Sequence, residues 1–120
     1  MLPNSFPSEE YFQKQCQEMG VNQNSRIVVF DNEGIFMSPR AWFLFKAFGH
    51  ENVVVLDGGL LDWKKNDYPI ESLKEPNSIG DFKASLNASM ITSYNEVVNN
   101  IATKDCLLIC LLYTSPSPRD

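Results

Sequence analysis

IVVFDNEGIFMSPRAWFLFKAFGHENVVVLDGGLLDW, residues 27–63, is the stretch whose reading decides the fold. Residues 27–30 form a continuous apolar run of β-branched and aromatic side chains. It is too short for a helix and fits a strand covered on both faces. Asp31 and Gly34 interrupt it. Ser38 is placed to cap a helix, Pro39 suits the first helical position, and residues 41–48 are apolar almost all round. Such a helix must be buried, and Gly49 is available to end it. Residues 53–56 are a second apolar run, turned by Asp57, Gly58 and Gly59. Buried strands joined by a helical crossover run parallel, with a right-handed connection. The expected class is α/β, a parallel sheet flanked by helices. Ligands in such sheets collect beyond the carboxyl ends of the strands, which makes Asp31 through Arg40 the candidate loop.

Working outward, residues 1–7 are polar and proline-marked and are expected to lie extended on the surface. Ser8 can cap a helix whose first turn holds Glu9 and Glu10, with Phe12, Cys16 and Met19 on its apolar face and Gly20 at its end. Beyond Trp63 the apolar pattern loosens. Residues 71–80 carry Ser, Pro, Asn and Gly with few apolar anchors, so the domain boundary is expected there. Residues 82–86 fit a short strand. Ser93 and Glu96 form a capping box ahead of Tyr94, Val97, Val98 and Ile101, spaced as an amphipathic helix, and residues 106–112 fit another buried strand.

Composition narrows the function classes. A chain of 120 residues with 43% hydrophobic content, eight Phe and two Trp is enough for one core. A net charge of −5 without a basic cluster argues against nucleic acid and anionic membranes as partners. No apolar run reaches the length of a membrane span, and the start has neither a secretory pattern nor an Arg-rich mitochondrial one. Three cysteines and a single His give no metal site, and an odd thiol count fits an intracellular compartment.

The motifs VVFD (28–31), GIFMSPRAWF (34–43), FKAFGH (45–50) and VVVLDGGLLDW (53–63) resemble, in order and spacing, the first domain of the two-domain rhodaneses, the thiosulfate and 3-mercaptopyruvate sulfurtransferases. MLP at residues 1–3 resembles the segment before that domain's later helices, and DFKASLNASMITSYNEVVNNIATKDCLLI (81–109) resembles the opening of the second domain. The resemblance implies a rhodanese-like but incomplete fold. Residues 1–70 would be the later part of a first, non-catalytic domain, 71–80 a linker and 81–110 the start of a second domain. It also implies missing sheet members and poor autonomous stability. The last ten residues, LLYTSPSPRD, leave the family pattern and read as a non-native extension or a disordered terminus.

Sulfur transfer in that family, as the resemblance implies, runs through a cysteine persulfide and needs no cofactor or metal. Its nucleophile follows a strand and needs a depressed pKa, which inward-facing backbone amides at a helix start provide. This chain has Asp31 at that position, with Arg40 farther on than in the family's tight loop. Both are degenerate active-loop positions, and no catalytic residue is expected within the chain. Arg40 either binds an anion or pairs with Asp31 or a nearby carboxylate. Cys16 reads as packing, and Cys106 and Cys110, four apart on a strand, lie beyond disulfide reach. His50 reads as a hydrogen-bonding turn residue, and Trp42 and Trp63 as core anchors.

The expected function is thus a piece of a sulfurtransferase whose catalytic cysteine lies elsewhere, partnered by the rest of a second rhodanese domain, a sulfur donor and a thiol acceptor, in cytoplasm or mitochondrion. The alternative is a non-catalytic rhodanese-like binding or scaffold module. A phosphatase of the same fold is excluded by the missing loop cysteine.

Overall fold

Helix α1, Glu9–Glu18, starts where the sequence places it: Ser8 Oγ accepts from Tyr11 N at 3.2 Å, and Gly20 at φ 84° ends the turn. Strand β1, Ile27–Val29, leads through the loop to α2, Ser38–Ala47, then to β2, Val53–Val55, and α3, Gly59–Lys65. β1 and β2 pair in parallel, Ile27 with Val53, Val28 with Val54 and Val29 with Val55. α2 packs on both. The computed structural model describes residues 5–32, 34–35, 37–72 and 78–110; residues 1–3, much of the proposed linker and the 111–120 tail lie outside that set.

The core is aromatic. Phe12 stacks on Phe48 at 4.7 Å and meets Phe45 and Phe82 edge-on at 5.2 and 5.8 Å. Buried Cys16, Val53 and Ala84 complete this cluster. His50 sits against Phe45 and Phe82, and its Nε2 donates to Ser25 O at 2.7 Å, the hydrogen-bonding role its position suggests. Residues 5–7 run without regular structure, as expected, and are anchored: Phe6 stacks on Phe48 at 5.3 Å and Pro7 is buried.

Several local expectations give way to packing. The strands are shorter than their apolar runs, and only one face is covered: Val28 and Phe30 are 49% and 55% exposed. A two-stranded sheet with α2 on one side leaves its other side bare. α2 is therefore buried along Phe45, Ala47 and Phe48 but not all round, and Trp42 lies at the surface with Lys46 Nζ 5.7 Å from its ring centre. Trp63 is half-buried and donates Nε1 to Pro69 O at 2.8 Å. Met19 is exposed because it forms the C-cap of α1, past its buried face.

Residues 78–90 form no regular strand among the described residues. Instead residues 78–87 run extended over α1 and the end of α2, and Ala88–Met90 close the segment as a single 3-10 turn. Gly80 N donates to Gln17 O, Phe82 N to Val21 O, and Ser85 N to Phe48 O. Side chains supply the remaining partners: Gln17 Nε2 donates to Phe82 O, Ala84 N to Gln13 Oε1, and Leu86 N to Glu9 Oε2. With helices rather than a strand beside it, this backbone has no ladder to join. The compact units accordingly divide after Met90, into Met1–Met90 and Ile91–Asp120, whereas composition places the boundary at 71–80.

In the second unit, α4, Tyr94–Thr103, carries the expected capping box, with Glu96 N donating to Ser93 Oγ and Ser93 N to Glu96 Oε2. The Thr92 hydroxyl and the Ser93 amide together hold the Glu96 carboxyl below its usual range. The strand expected from Cys106 is absent among the described residues. Lys104 turns the chain at φ 56°, and the Asn100 side chain takes both the N–H and the C=O of Cys106, leaving Leu107 and Ile109 exposed. Residues 111–112 of that expected strand lie outside the described set.

Because Phe82 is fully buried among Phe12, Phe45 and His50, Phe82→Ala is expected to cost about 3 to 5 kcal/mol in urea denaturation. Leu107→Ala, at an exposed site, is expected to stay within about 0.5 kcal/mol.

Candidate functional site

The loop leaving β1 is pinned from two sides. Asp31 O accepts from Leu60 N at 3.0 Å, and Asp31 pairs with Gly34 in an isolated antiparallel bridge. The start of α3 comes so close that a Cβ on Gly59 would sit 2.5 Å from Gly34 O and 2.7 Å from Asp31 O. Gly59 also holds φ 60°, so any side chain there would push the loop out of place.

This places the Asp31 carboxylate at the amino end of α2. Its Oδ2 accepts from Met37 N at 3.0 Å and from Ser38 N at 2.9 Å. The carboxylate thus satisfies two of the amide donors that a helix start leaves without partners, and its charge faces the positive end of the helix dipole. Ser38 is not the cap. It is the first helical residue, Pro39 follows in the second position, and the Ser38 side chain is buried instead of reaching back over the turn.

Arg40 does not pair with Asp31. The Arg40 Nη2 donates to Ser5 O at 2.8 Å, and the ion pair among the described residues is Lys46 with Glu51 at 3.2 Å. The structure therefore brings Asp31 to the helix start and turns Arg40 toward the segment before α1.

The thiols are elsewhere. Cys16 is fully buried in the aromatic core, and burial pushes its pKa from 9.0 up to about 11. Cys106 and Cys110 are exposed in the second unit. Among the described residues no group of three or more His, Cys, Asp or Glu is arranged to hold a metal ion, and no helix is long and apolar enough to cross a membrane. The other concavity of note lies on the bare face of the sheet. Val28, Phe30, Leu56, Leu60, Trp63 and Ile70 line a cleft of about 520 Å³.

The profile of the Rhodanese-like domain matches residues 2–66, more than half of the chain. The chain belongs to the rhodanese family. Among curated rhodanese relatives, thiosulfate sulfurtransferase of Rattus norvegicus is 35% identical over 86% of this chain and 35% of its own length. Thiosulfate/3-mercaptopyruvate sulfurtransferase 1, mitochondrial, of Arabidopsis thaliana is 41% identical over 75% of this chain and 23% of its own. Human 3-mercaptopyruvate sulfurtransferase is 30% identical over 95% and 41%. The chain thus spans about a quarter to two-fifths of the length of these relatives. The crystal structure of SseA from Escherichia coli, described as a 3-mercaptopyruvate sulfotransferase with the rhodanese fold, superposes with a TM-score of 0.75 at 32% identity. It matches over 82% of this chain and 37% of that one. The rhodanese-like α/β fold expected from residues 27–63 is therefore the fold of this chain.

What sequence inspection misses in this rhodanese loop is the cap. Asp31 stands six and seven residues ahead of the amides it holds, outside the spacing of local capping rules. Asp31→Ala is expected to lower stability by about 0.5 to 2 kcal/mol in chemical denaturation, as loss of a helix cap does. Cys16 gives a pH signature of its own. Its thiol is neutral in folded and unfolded chains well below pH 9.0; as pH rises past that value the unfolded chain loses the proton first. Stability is therefore expected to fall as pH climbs from 9.0 toward about 11, and Cys16→Ala is expected to flatten that part of the profile.

Proposed function

We propose that this chain is part of a sulfurtransferase that moves a sulfane sulfur from thiosulfate or 3-mercaptopyruvate to a thiophilic acceptor, and that its own rhodanese unit is the non-catalytic half. In such a reaction a thiolate attacks the transferable sulfur and the bond to the donor breaks; thiosulfate releases sulfite, and 3-mercaptopyruvate releases the enolate of pyruvate, which takes a proton from solvent. The acceptor then removes the sulfur from the persulfide and restores the thiolate. The thiol must sit where backbone amides stabilise the anion.

The observation that carries the proposal is the Asp31 carboxylate on the Met37 and Ser38 amides. A carboxylate there fills the place that would activate a thiolate, and it has no sulfur to form a persulfide. Cys16 is buried and stays protonated at neutral pH. Cys106 and Cys110 belong to the other unit. The catalytic cysteine is accordingly assigned to a second rhodanese domain, of which residues 91–110, beyond the segment that packs into the first unit, are the opening. That domain, the sulfur donor and the thiol acceptor are the proposed partners, in cytoplasm or mitochondrion. The names and lengths of the relatives support this assignment.

A scaffold or binding module without sulfur chemistry is the second reading. The apolar cleft on the bare sheet face favours it, because apolar surface of that kind is what a packing partner covers.

The 120-residue protein is expected to make no thiocyanate from thiosulfate and cyanide, and mass spectrometry is expected to find no one-sulfur mass gain on Cys16, Cys106 or Cys110. Thiocyanate production that Cys106→Ser or Cys110→Ser abolishes would overturn the proposal.

A further inference from the structure

The extended segment over α1 and the end of α2 is held the way a bound peptide is. Every backbone N–H from Gly80 to Asn87 donates to an acceptor in residues 9–48, and none closes a bond within the segment. Glu9, Gln13, Asn22 and Gln23 offer side-chain oxygens, and main-chain carbonyls at and just beyond the ends of α1 and α2 offer the rest. Three positions are matched individually. A Cβ on Gly80 would collide with Val21 O. Asp81 is held reciprocally, its N–H donating to Asn22 Oδ1 at 2.9 Å and its Oδ1 accepting from Gln23 N at 2.8 Å. Phe82 is fully buried beside Phe12, Phe45 and His50, and its carbonyl accepts from Gln17 Nε2 at 2.8 Å. The groove therefore selects glycine, aspartate and phenylalanine in succession, on a backbone that keeps every N–H and so contains no proline.

We infer that the groove formed by α1, the turn after it and the end of α2 is a receptor for an extended Gly-Asp-Phe segment, and that residues 80–87 of a second copy of this chain fit it as the chain's own do. Each of these contacts joins residues 9–50 to residues 80–87, so none requires the two parts to belong to one molecule. A second copy is the partner because it carries the three matched residues at the required spacing. Exchange of an identical element between protomers costs little in contacts, since each bond lost within one chain is remade with the other. The chain's own segment wins at low concentration, because its tether holds it near the groove at high effective concentration. Weakening that segment opens the groove to the other copy. The inference goes beyond the sulfur-transfer reading and involves no thiol chemistry.

The probe is a synthetic peptide of residues 78–90, titrated into the isotope-labelled 120-residue Phe82→Ala protein and read by nuclear magnetic resonance. Saturable shifts at the Asn22 and Gln23 amides are expected, with affinity at least about tenfold above that for wild type, whose groove is filled. Peptides carrying Gly80→Ala or Phe82→Ala, and a peptide of scrambled order, are each expected to bind at least about tenfold more weakly. Excess unlabelled wild-type protein is expected to give the labelled variant the same shifts as the peptide, more slowly, because its segment must first leave its own groove. If the Phe82→Ala protein is unfolded, the peptide is expected to fold it by mass action. Hydrogen exchange of the wild-type protein needs no variant: the amides of residues 80–87 are expected to exchange together, at least about a hundredfold more slowly than in the free peptide. Four results each overturn the inference: a variant that the peptide neither binds saturably nor folds, equal binding of the scrambled peptide, no shifts with wild-type protein, or free-peptide exchange rates across residues 80–87.

Discussion

Phe48, at the end of α2, lies between Phe6 and Phe12, and Phe12 in turn meets Phe45 and Phe82. Most elements of the first unit contribute to that packing. α1 brings Phe12 and Cys16, α2 brings Phe45 and Phe48, β2 brings Val53, and the extended segment after the turn-rich stretch brings Phe82 and Ala84. Burying one such side chain contributes about 1.5 to 3 kcal/mol, and edge-on or offset ring pairs add to it. The sheet itself has only two strands, below the number that stands alone in water. Helix and extended-chain packing, not the β ladder, therefore holds this unit together.

The same packing fixes the loop. α2 is held at its far end by Phe48 and along its length by the sheet, so its amino end points at the close of β1. α3 then presses Gly59 against the loop backbone and leaves no room for a Cβ. Under those constraints the Asp31 carboxylate falls on the Met37 and Ser38 amides. The arrangement suits an anion in general, and the residue at position 31 decides which. A thiolate there would be activated; a carboxylate makes the loop a structural cap. Membership in the rhodanese family and the absence of a loop thiol are compatible for this reason: the cradle belongs to the fold, and the chemistry belongs to one side chain.

The bare face of the sheet bears on the relation between this chain and its longer relatives. Val28, Phe30, Val54 and Leu56 carry the composition of a strand with both faces buried, yet α2 covers one face only. Apolar side chains on a solvent-facing sheet mark a surface that packing has not closed. Val28, Phe30 and Leu56 line the cleft on that face together with Leu60 and Trp63.

The sequence by itself determined the βαβ order, the parallel pairing, the caps of α1 and α4 and the family, because each follows from a contiguous run or a regular local pattern. Ser8 with Tyr11 and Ser93 with Glu96 lie within one helical turn, and the strand runs are contiguous. Only the tertiary structure decided which partner satisfies each group that no local pattern pairs. It moved the cap of α2 from Ser38 to Asp31, carried Phe82 back into the first unit, and sent Arg40 to Ser5. It also gave the backbone of Cys106 to Asn100 in place of a strand partner. In each case a backbone group or a buried ring was satisfied by whichever partner the packed chain brought within reach. Local pattern states that such a partner is needed, and the three-dimensional arrangement selects it.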